Sequence, residues 1–328
     1  MERFQQTGAN ARSGAARQRR HWLATALVAL VAFAWPCALP AAPNVVASIG
    51  PLHALAAAIM GDLGEPAQIV RGYGSPHAYQ MRPSDAERLR DAALILWVGP
   101  ALETFLERPL AAAGGRDGPR VLVMSALPGL ELLSSRKAGV IDAHAHAHGK
   151  ADGGSYDAHI WLSPSNAKVM AAAIAAALAE LDPEHAPIYM ANLQRFERRV
   201  DDMQSDIAAR LAPVRSVPFV VFHDAFQYYE KSFDLAAIGS LTVSPGRLPS
   251  AKRVQALRQE IASSGARCVF REPQFESALV ATLLEGTHAR TGVLDPLGTD
   301  VEPGPDAYFE LMNSNADALI ECLSEGKS

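Results

Sequence analysis

Pro83-Ser-Asp-Ala-Glu-Arg-Leu-Arg-Asp-Ala-Ala-Leu-Ile-Leu-Trp-Val98 changes periodicity halfway along. Its first part reads as a helix from Pro83 to Ala93, with Ser84 as the N-cap. Its second part, Leu94–Val98, is apolar at every position. A strand with one wet face alternates, whereas an unbroken apolar run fits a parallel strand covered on both faces. The same rhythm extends outward. Upstream lie a strand at Asn44–Ser48, a helix at Leu52–Met60 and a short strand at Ala67–Val70; Val121–Met124 follows downstream. It returns later as a strand at Phe219–Phe222, a helix at Lys252–Ala262, a strand at Cys268–Phe270, a helix at Ser277–His288, a strand at Val293-Leu294 and a final helix at Ala307–Leu323.

Between these two α/β stretches the pattern is helical. Ser163-Pro-Ser-Asn166 leads into an Ala-rich stretch ending at Leu181, and a second long pattern runs from about Glu184 to Leu211 with Arg, Asp and Gln on its outer face. The expected fold is therefore α/β, with two lobes, each holding a mostly parallel sheet, flanking a helical centre. The N-terminal lobe is placed at 43–162 and the C-terminal lobe at 183–328. From Leu130 to Asp157 periodicity disappears and Ser, Gly, Ala, Lys, Asp and His dominate. A loop of that length, about 131–158, is uncommon unless it is functional or disordered.

The 328 residues are 49% hydrophobic and 20% charged, with a formal net charge of -5. This is ordinary globular composition, long enough for two cores, with no basic excess to suit nucleic acid. The first residues differ. Arg3, Arg12, Arg17, Arg19 and Arg20 stand against one acid, Glu2, and precede the apolar run Trp22–Trp35 and a Pro/Ala segment. A basic stretch, a short apolar stretch and small residues make a secretory signal, assigned to 1–42. The apolar run is shorter than the roughly 20 residues that span a bilayer. Arg19-Arg20 is compatible with either a general secretory or a twin-arginine route. Export places the mature chain in an oxidising compartment. Of three cysteines, Cys37 lies in the signal, and Cys268 and Cys322 are expected to pair.

Ten histidines are unevenly placed. His77 lies in the Gly/Pro-rich Gly72–Tyr79, His159 beside Ile160-Trp-Leu162, and His223 directly after Phe219–Phe222. Asp295 closes the strand at Val293-Leu294. In open α/β sheets ligands collect at the carboxyl ends of strands, and two facing lobes oppose two such edges. Three imidazoles and a carboxylate suit Zn²⁺, whereas Mn²⁺ and Mg²⁺ ask for more oxygen. Asp224 and Glu272 are candidate acceptors for orienting the rings. His144, His146 and His148 alternate within the Gly/Ala/Asp loop, a composition that binds metal loosely. His53, His185 and His288 read as surface or packing residues.

Several segments together resemble one family: Ser75-Pro-His-Ala-Tyr-Gln-Met-Arg-Pro-Ser-Asp85, Leu96-Trp-Val-Gly-Pro-Ala-Leu-Glu103, His159-Ile-Trp-Leu-Ser-Pro164, Val221-Phe-His-Asp-Ala-Phe-Gln-Tyr-Tyr229, Cys268-Val-Phe-Arg-Glu-Pro-Gln-Phe275 and Leu294-Asp-Pro-Leu-Gly-Thr299. The chain from about Val45 onward is similar to the zinc-specific binding proteins of ABC uptake systems, the ZnuA-type group of cluster A-I. The resemblance implies two lobes joined by a long rigid helix, assigned here to 163–182, with zinc in the cleft between them. It places the metal ligands on His77, His159 and His223, the last being a carboxylate in manganese-type relatives, and a disulfide on Cys268 and Cys322. Pro76 stands where some members carry a ligand Glu, which leaves the fourth position to a water or to Asp295, with Asp295 otherwise close behind the ligands. The implied partners are the membrane permease and ATPase subunits of an importer, with the binding protein acting as a periplasmic monomer and not as an enzyme.

Two rival readings exist. Gly139-Val-Ile-Asp-Ala-His-Ala-His146 resembles the first-strand motif of amidohydrolases, but too little chain follows for the (β/α)₈ barrel that this motif needs. An adhesin-like surface protein shares the binding-protein fold.

Overall fold

The structure is a computed structural model that describes residues 42–113, 118–136, 139–140, 155–242, 249–275 and 278–324. The expected signal, 1–42, and the loop histidines His144, His146 and His148 lie outside the described residues, apart from Ala42.

The first lobe opens with β1 (Val45–Ala47), α1 (Gly50–Met60) and β2 (Ala67–Gln68), followed by α2 (Pro83–Asp91), β3 (Leu94–Trp97), α3 (Glu107–Ala113) and β4 (Arg120–Val123). The strands form one parallel sheet in the order β2-β1-β3-β4. All four residues of β3 are buried, as its unbroken apolar run demands. Helix α2 starts at Pro83, whose missing N–H costs nothing in the first turn. Its N-cap is Arg82 rather than Ser84: the Asp85 carboxylate reaches back to accept the Arg82 N–H at 2.9 Å. Glu103 is buried at the ends of β1 and β3. It accepts the Gly99 N–H at 3.0 Å, the Val98 N–H at 3.3 Å and the Ser48 hydroxyl. Burial pushes its carboxyl up to about 7 against the pull of those donors.

Strand β5 (Gly139–Val140) follows, then a 3₁₀ turn at Ile160–Leu162, α4 (Pro164–Leu181) and α5 (Ala186–Leu211). Ser163 caps α4 by accepting the Asn166 N–H. The alanines of α4 let it pack closely: Ala167, Ala171, Ile174, Ala175 and Leu178 are all buried. In α5, Tyr189, Leu193, Phe196, Val200, Met203, Ile207 and Leu211 make one buried stripe at helical spacing.

The second lobe comprises β6 (Phe219–His223), α6 (Gln227–Phe233), β7 (Ala237–Thr242), α7 (Ala251–Ser264), β8 (Cys268–Arg271), α8 (Ala278–Leu284), β9 (Arg290–Val293) and α9 (Ala307–Leu323). Its sheet runs β5-β7-β6-β8-β9, parallel except for β5 at the edge. Gly139-Val140 thus pairs antiparallel with β7, unlike the parallel inner strand that an amidohydrolase barrel would need.

The stretch expected to link the lobes, 163–182, is α4, and it packs on α1 and α5. The helix that touches elements of both lobes is α5, against α1 on one side and α9 and α6 on the other. Helix α9 also returns onto α1. The lobes are sewn together elsewhere: the Trp161 indole donates to the Pro296 carbonyl at 2.7 Å, and the Tyr308 hydroxyl to the Trp161 carbonyl at 3.0 Å. At Gly50 an added Cβ would lie 2.9 Å from the Leu297 carbonyl oxygen, so only glycine allows that approach. Among the described residues no helix is long and apolar enough to cross a membrane.

Cys268 and Cys322 form a disulfide that ties β8 to α9 across 54 residues of chain. A loop of that size restricts the unfolded state by about 4 kcal/mol in the chain-entropy model. Replacing both cysteines with alanine is expected to lower the urea midpoint by an amount equivalent to roughly that loss. An unchanged midpoint would remove the bridge from the stability of the fold.

Candidate metal centre

Parallel strands bring their carboxyl ends to one edge, and the loops leaving that edge carry the site. His223 is the last residue of β6, Glu272 follows β8, and Asp295 follows β9. On the other side, His77 lies in the loop between β2 and α2, and His159 immediately precedes the 3₁₀ turn at Ile160–Leu162.

These elements bring three histidines together. One nitrogen from each of His77, His159 and His223 can be chosen so that all three lie within 4.8 Å of one another. The ring centroids are 5.5 Å apart for His77–His159, 5.0 Å for His77–His223 and 4.8 Å for His159–His223. His159 and His223 are buried, and His77 is partly buried. The small pocket between them and Trp161, Glu272, Gln274 and Pro296 is about 10 Å³, room for one small sphere. His77 Nε2 and both ring nitrogens of His223 are buried without a hydrogen-bond partner among the described residues. An unpartnered buried nitrogen is costly, and two rings that carry such nitrogens, beside a third imidazole and one small space, match the needs of a cation that accepts nitrogen lone pairs. Tetrahedral zinc would set the three nitrogens about 3.3 Å apart, so the rings need to draw in by at most about 1.5 Å.

The surroundings fix the rings. Asp157 Oδ1 accepts from the His159 backbone N–H at 3.0 Å and sits 2.7 Å from the ring Nδ1. Nδ1 is thereby the protonated nitrogen, and Nε2 is left for a ligand role. Asp157 was not among the residues expected to orient the rings, although Asp157-Ala-His159 carries the signal: an Asx side chain that accepts the N–H two residues on. Glu272 lies where expected, with Oε1 3.3 Å from His223 Nδ1. Asp224, the other expected partner, turns away and pairs with Arg136.

Asp295 is not part of the convergent set. Its carboxylate closes its own loop, accepting from Leu297 N–H at 2.9 Å, Gln274 Nε2 at 3.0 Å, Thr299 Oγ1 at 3.3 Å and Thr299 N–H. A carboxylate with that many donors has little left for a cation. It borders the site through Gln274 and through Pro296 and Leu297 of its own loop, all of which line the pocket. Of the remaining histidines, His185 is buried against Asp182, its Nδ1 2.7 Å from Oδ2, in the turn between α4 and α5.

Electrostatics sort the three rings. Burial lowers His77 to about 2, helped by the other two histidines. Burial likewise holds His159 well below its ordinary value. Burial also works against the charged form of His223, but Glu272, followed by Asp224 and Asp157, outweighs it and raises that ring above 6.5. Glu272 is raised as well, chiefly by burial. His223 and Glu272 therefore hold on to a proton more readily than the other two rings do.

Comparison with known proteins agrees with this architecture. The family model ZnuA, described as the periplasmic component A of the zinc-uptake complex, matches residues 45–322. The high-affinity zinc uptake system protein ZnuA of Brucella suis is 42% identical over 309 residues, covering 86% of this chain and 92% of the relative. A crystal structure of a ZnuA superposes with a TM-score of 0.73 at 27% identity, over 86% of this chain and 100% of that one. A ZnuA deletion mutant with zinc bound superposes with a TM-score of 0.72 at 25% identity, over 87% of this chain and 99% of that one. With its family model spanning nearly all of both lobes, the chain belongs to the ZnuA family of periplasmic zinc-uptake proteins.

Proposed function

We propose that this protein captures one Zn²⁺ through His77, His159 and His223 and delivers it to the permease and ATPase of an ABC importer. In this reading residues 1–42 direct export and are removed, and the mature protein works in the periplasm. The observation that carries the assignment is the convergence of three imidazoles on one small pocket, with buried nitrogens of two of them left unpartnered.

The residues have separate tasks. Asp157 holds His159 in the tautomer that presents Nε2. Glu272 Oε1 faces His223 Nδ1 at 3.3 Å without the alignment of a hydrogen bond and, with Asp157, supplies buried negative charge to a dication held by neutral rings. A water completes the tetrahedron, because Asp295 is engaged by its own loop. An all-nitrogen protein set favours zinc over cations that prefer oxygen. His77 is the least buried of the three and stands on a loop without regular structure, Val70–Met81, so it is the ligand that yields first when the importer docks. The seam from Trp161 to Pro296 and Tyr308 resists a wide opening of the lobes, so release is local.

Zinc titration with metal counting by mass spectrometry is expected to give one tight Zn²⁺ per chain. His223→Ala should weaken it by at least about 100-fold, the upper end of what even indirect partners of a metal contribute. Tight binding that survives this change would place the metal elsewhere. A second expectation concerns pH. His223 is protonated below its raised value, and zinc displaces that proton. Affinity is therefore complete above that value and falls as pH drops through it, starting above 6.5, by about tenfold per pH unit. His77 and His159 stay neutral and add nothing. Competition titrations across this range would contradict the assignment if the slope approached three protons per zinc. Finally, Asp295→Asn is expected to cost about 1–3 kcal/mol of stability, because an anionic acceptor is lost. Zinc affinity should stay within about threefold, well short of the tenfold or more that a ligand's partners contribute; a large loss would restore Asp295 as a ligand.

A further inference from the structure

Arg136 lies outside every motif discussed above, yet it is one of the most heavily bonded side chains near the metal centre. Its Nε donates to Asp224 Oδ2 at 3.1 Å, and one terminal nitrogen to Glu230 Oε2 at 2.7 Å. The other terminal nitrogen donates to Glu230 Oε1 at 3.2 Å and to Asp224 Oδ1. One guanidinium thus grips two buried carboxylates, a geometry that only arginine offers. A buried ion pair of this kind is poor evidence for stability alone, because desolvation offsets its attraction. Its location is more informative.

Asp224 directly follows His223, within a tight turn closed by Ala225 N–H to the His223 carbonyl at 2.8 Å. Arg136 ends the segment Leu133–Arg136, which is stitched on its other side to the residues before His159. Asp157 N–H donates to the Leu133 carbonyl at 2.9 Å, and Ser135 N–H to the Ser155 carbonyl at 3.0 Å. The Tyr228 hydroxyl of α6 accepts the Leu133 N–H at 3.0 Å and donates to the Asp157 carbonyl at 2.9 Å. One short segment therefore touches the supports of two ligands, Asp157 behind His159 and Asp224 beside His223. The cluster of Arg136, Asp224 and Glu230 carries a net negative charge and does not oppose a dication nearby.

We propose that Arg136 is a positioning residue for the zinc centre: by clasping Asp224 and Glu230 it fixes the His223 turn against the Asp157–His159 segment and so sets the spacing of the two imidazoles. This inference rests on the reading of His77, His159 and His223 as the zinc ligands.

The test compares the wild-type protein with Arg136→Met and Arg136→Lys. Zinc affinity is measured by chelator competition, geometry by the visible spectrum of the Co²⁺-loaded protein, and stability by thermal unfolding of the metal-free protein. Wild-type protein that lacks one tight site removed by His223→Ala would refute the ligand assignment itself. With that site in place, Arg136→Met is expected to lose about 10–100-fold in zinc affinity and to shift the Co²⁺ bands, with Arg136→Lys in between because it keeps the charge but not the fork. Affinity within about twofold and a superimposable Co²⁺ spectrum would overturn the proposal, even if the melting temperature fell, since that pattern marks a purely structural role. Should Arg136→Met fail to fold, Arg136→Lys decides on the same two readings.

Discussion

Three imidazoles facing one another, with no protein acceptor or donor between them, are an unfavourable thing to bury. Much of the second lobe's edge is arranged around that constraint. The carboxyl ends of β6, β8 and β9 deliver His223, Glu272 and Asp295 side by side. Asp295 spends its oxygens on folding its own loop, and that loop places Pro296 and Leu297 against the first lobe. Burial keeps His77 and His159 uncharged, so the site avoids the repulsion of three neighbouring cations and stays ready for one. His223 is the one ring of the three whose affinity for a proton is raised, by Glu272 beside it, and that proton sits where an arriving cation can exchange for it.

Several contacts tie the lobes together about this centre. Helix α5 runs past both, and α9 crosses from the second lobe back to α1. The Trp161 indole reaches across to Pro296, next to the ligands rather than far from them. A binding protein with a soft hinge can expel its cargo by opening. In the proposed release the adjustable part is a single loop, with the contacts around Trp161 holding the lobes together.

Much of the fold was legible because its strands are extreme. Leu94–Trp97 and Phe219–Phe222 are apolar throughout, which few elements other than doubly covered strands require. Ala237–Thr242 went unread as β7 because Gly239 and Ser240 break its apolar run; Ser240 is nevertheless fully buried, and tertiary context rather than propensity makes it a strand. Helix α6, Gln227–Phe233, is too short to show a period. Which central helix joins the lobes depends on packing and not on pattern, and α5 packs on elements of both lobes beside the stretch 163–182. At the site, the resemblance singled out the three histidines that the structure brings together. Glu272 was anticipated as a ring partner. The exchange of Asp157 for Asp224 was not, because it depends on Arg136 drawing Asp224 away, and a contact 88 residues apart leaves no local trace.

The paired segments Leu133–Ser135 and Ser155–Asp157 have one more consequence. They form the neck of a loop whose two sides are already joined before the chain departs, and both sides are anchored next to the ligands. Whatever lies beyond the neck closes a circuit whose ends are fixed by the neck itself. Loop entropy grows only slowly with length, about 0.6 kcal/mol per doubling. A change in the length of chain between Val140 and Ser155 is therefore expected to leave His159 where Asp157 holds it. The neck separates the placement of that ligand from the length of the chain that leads to it.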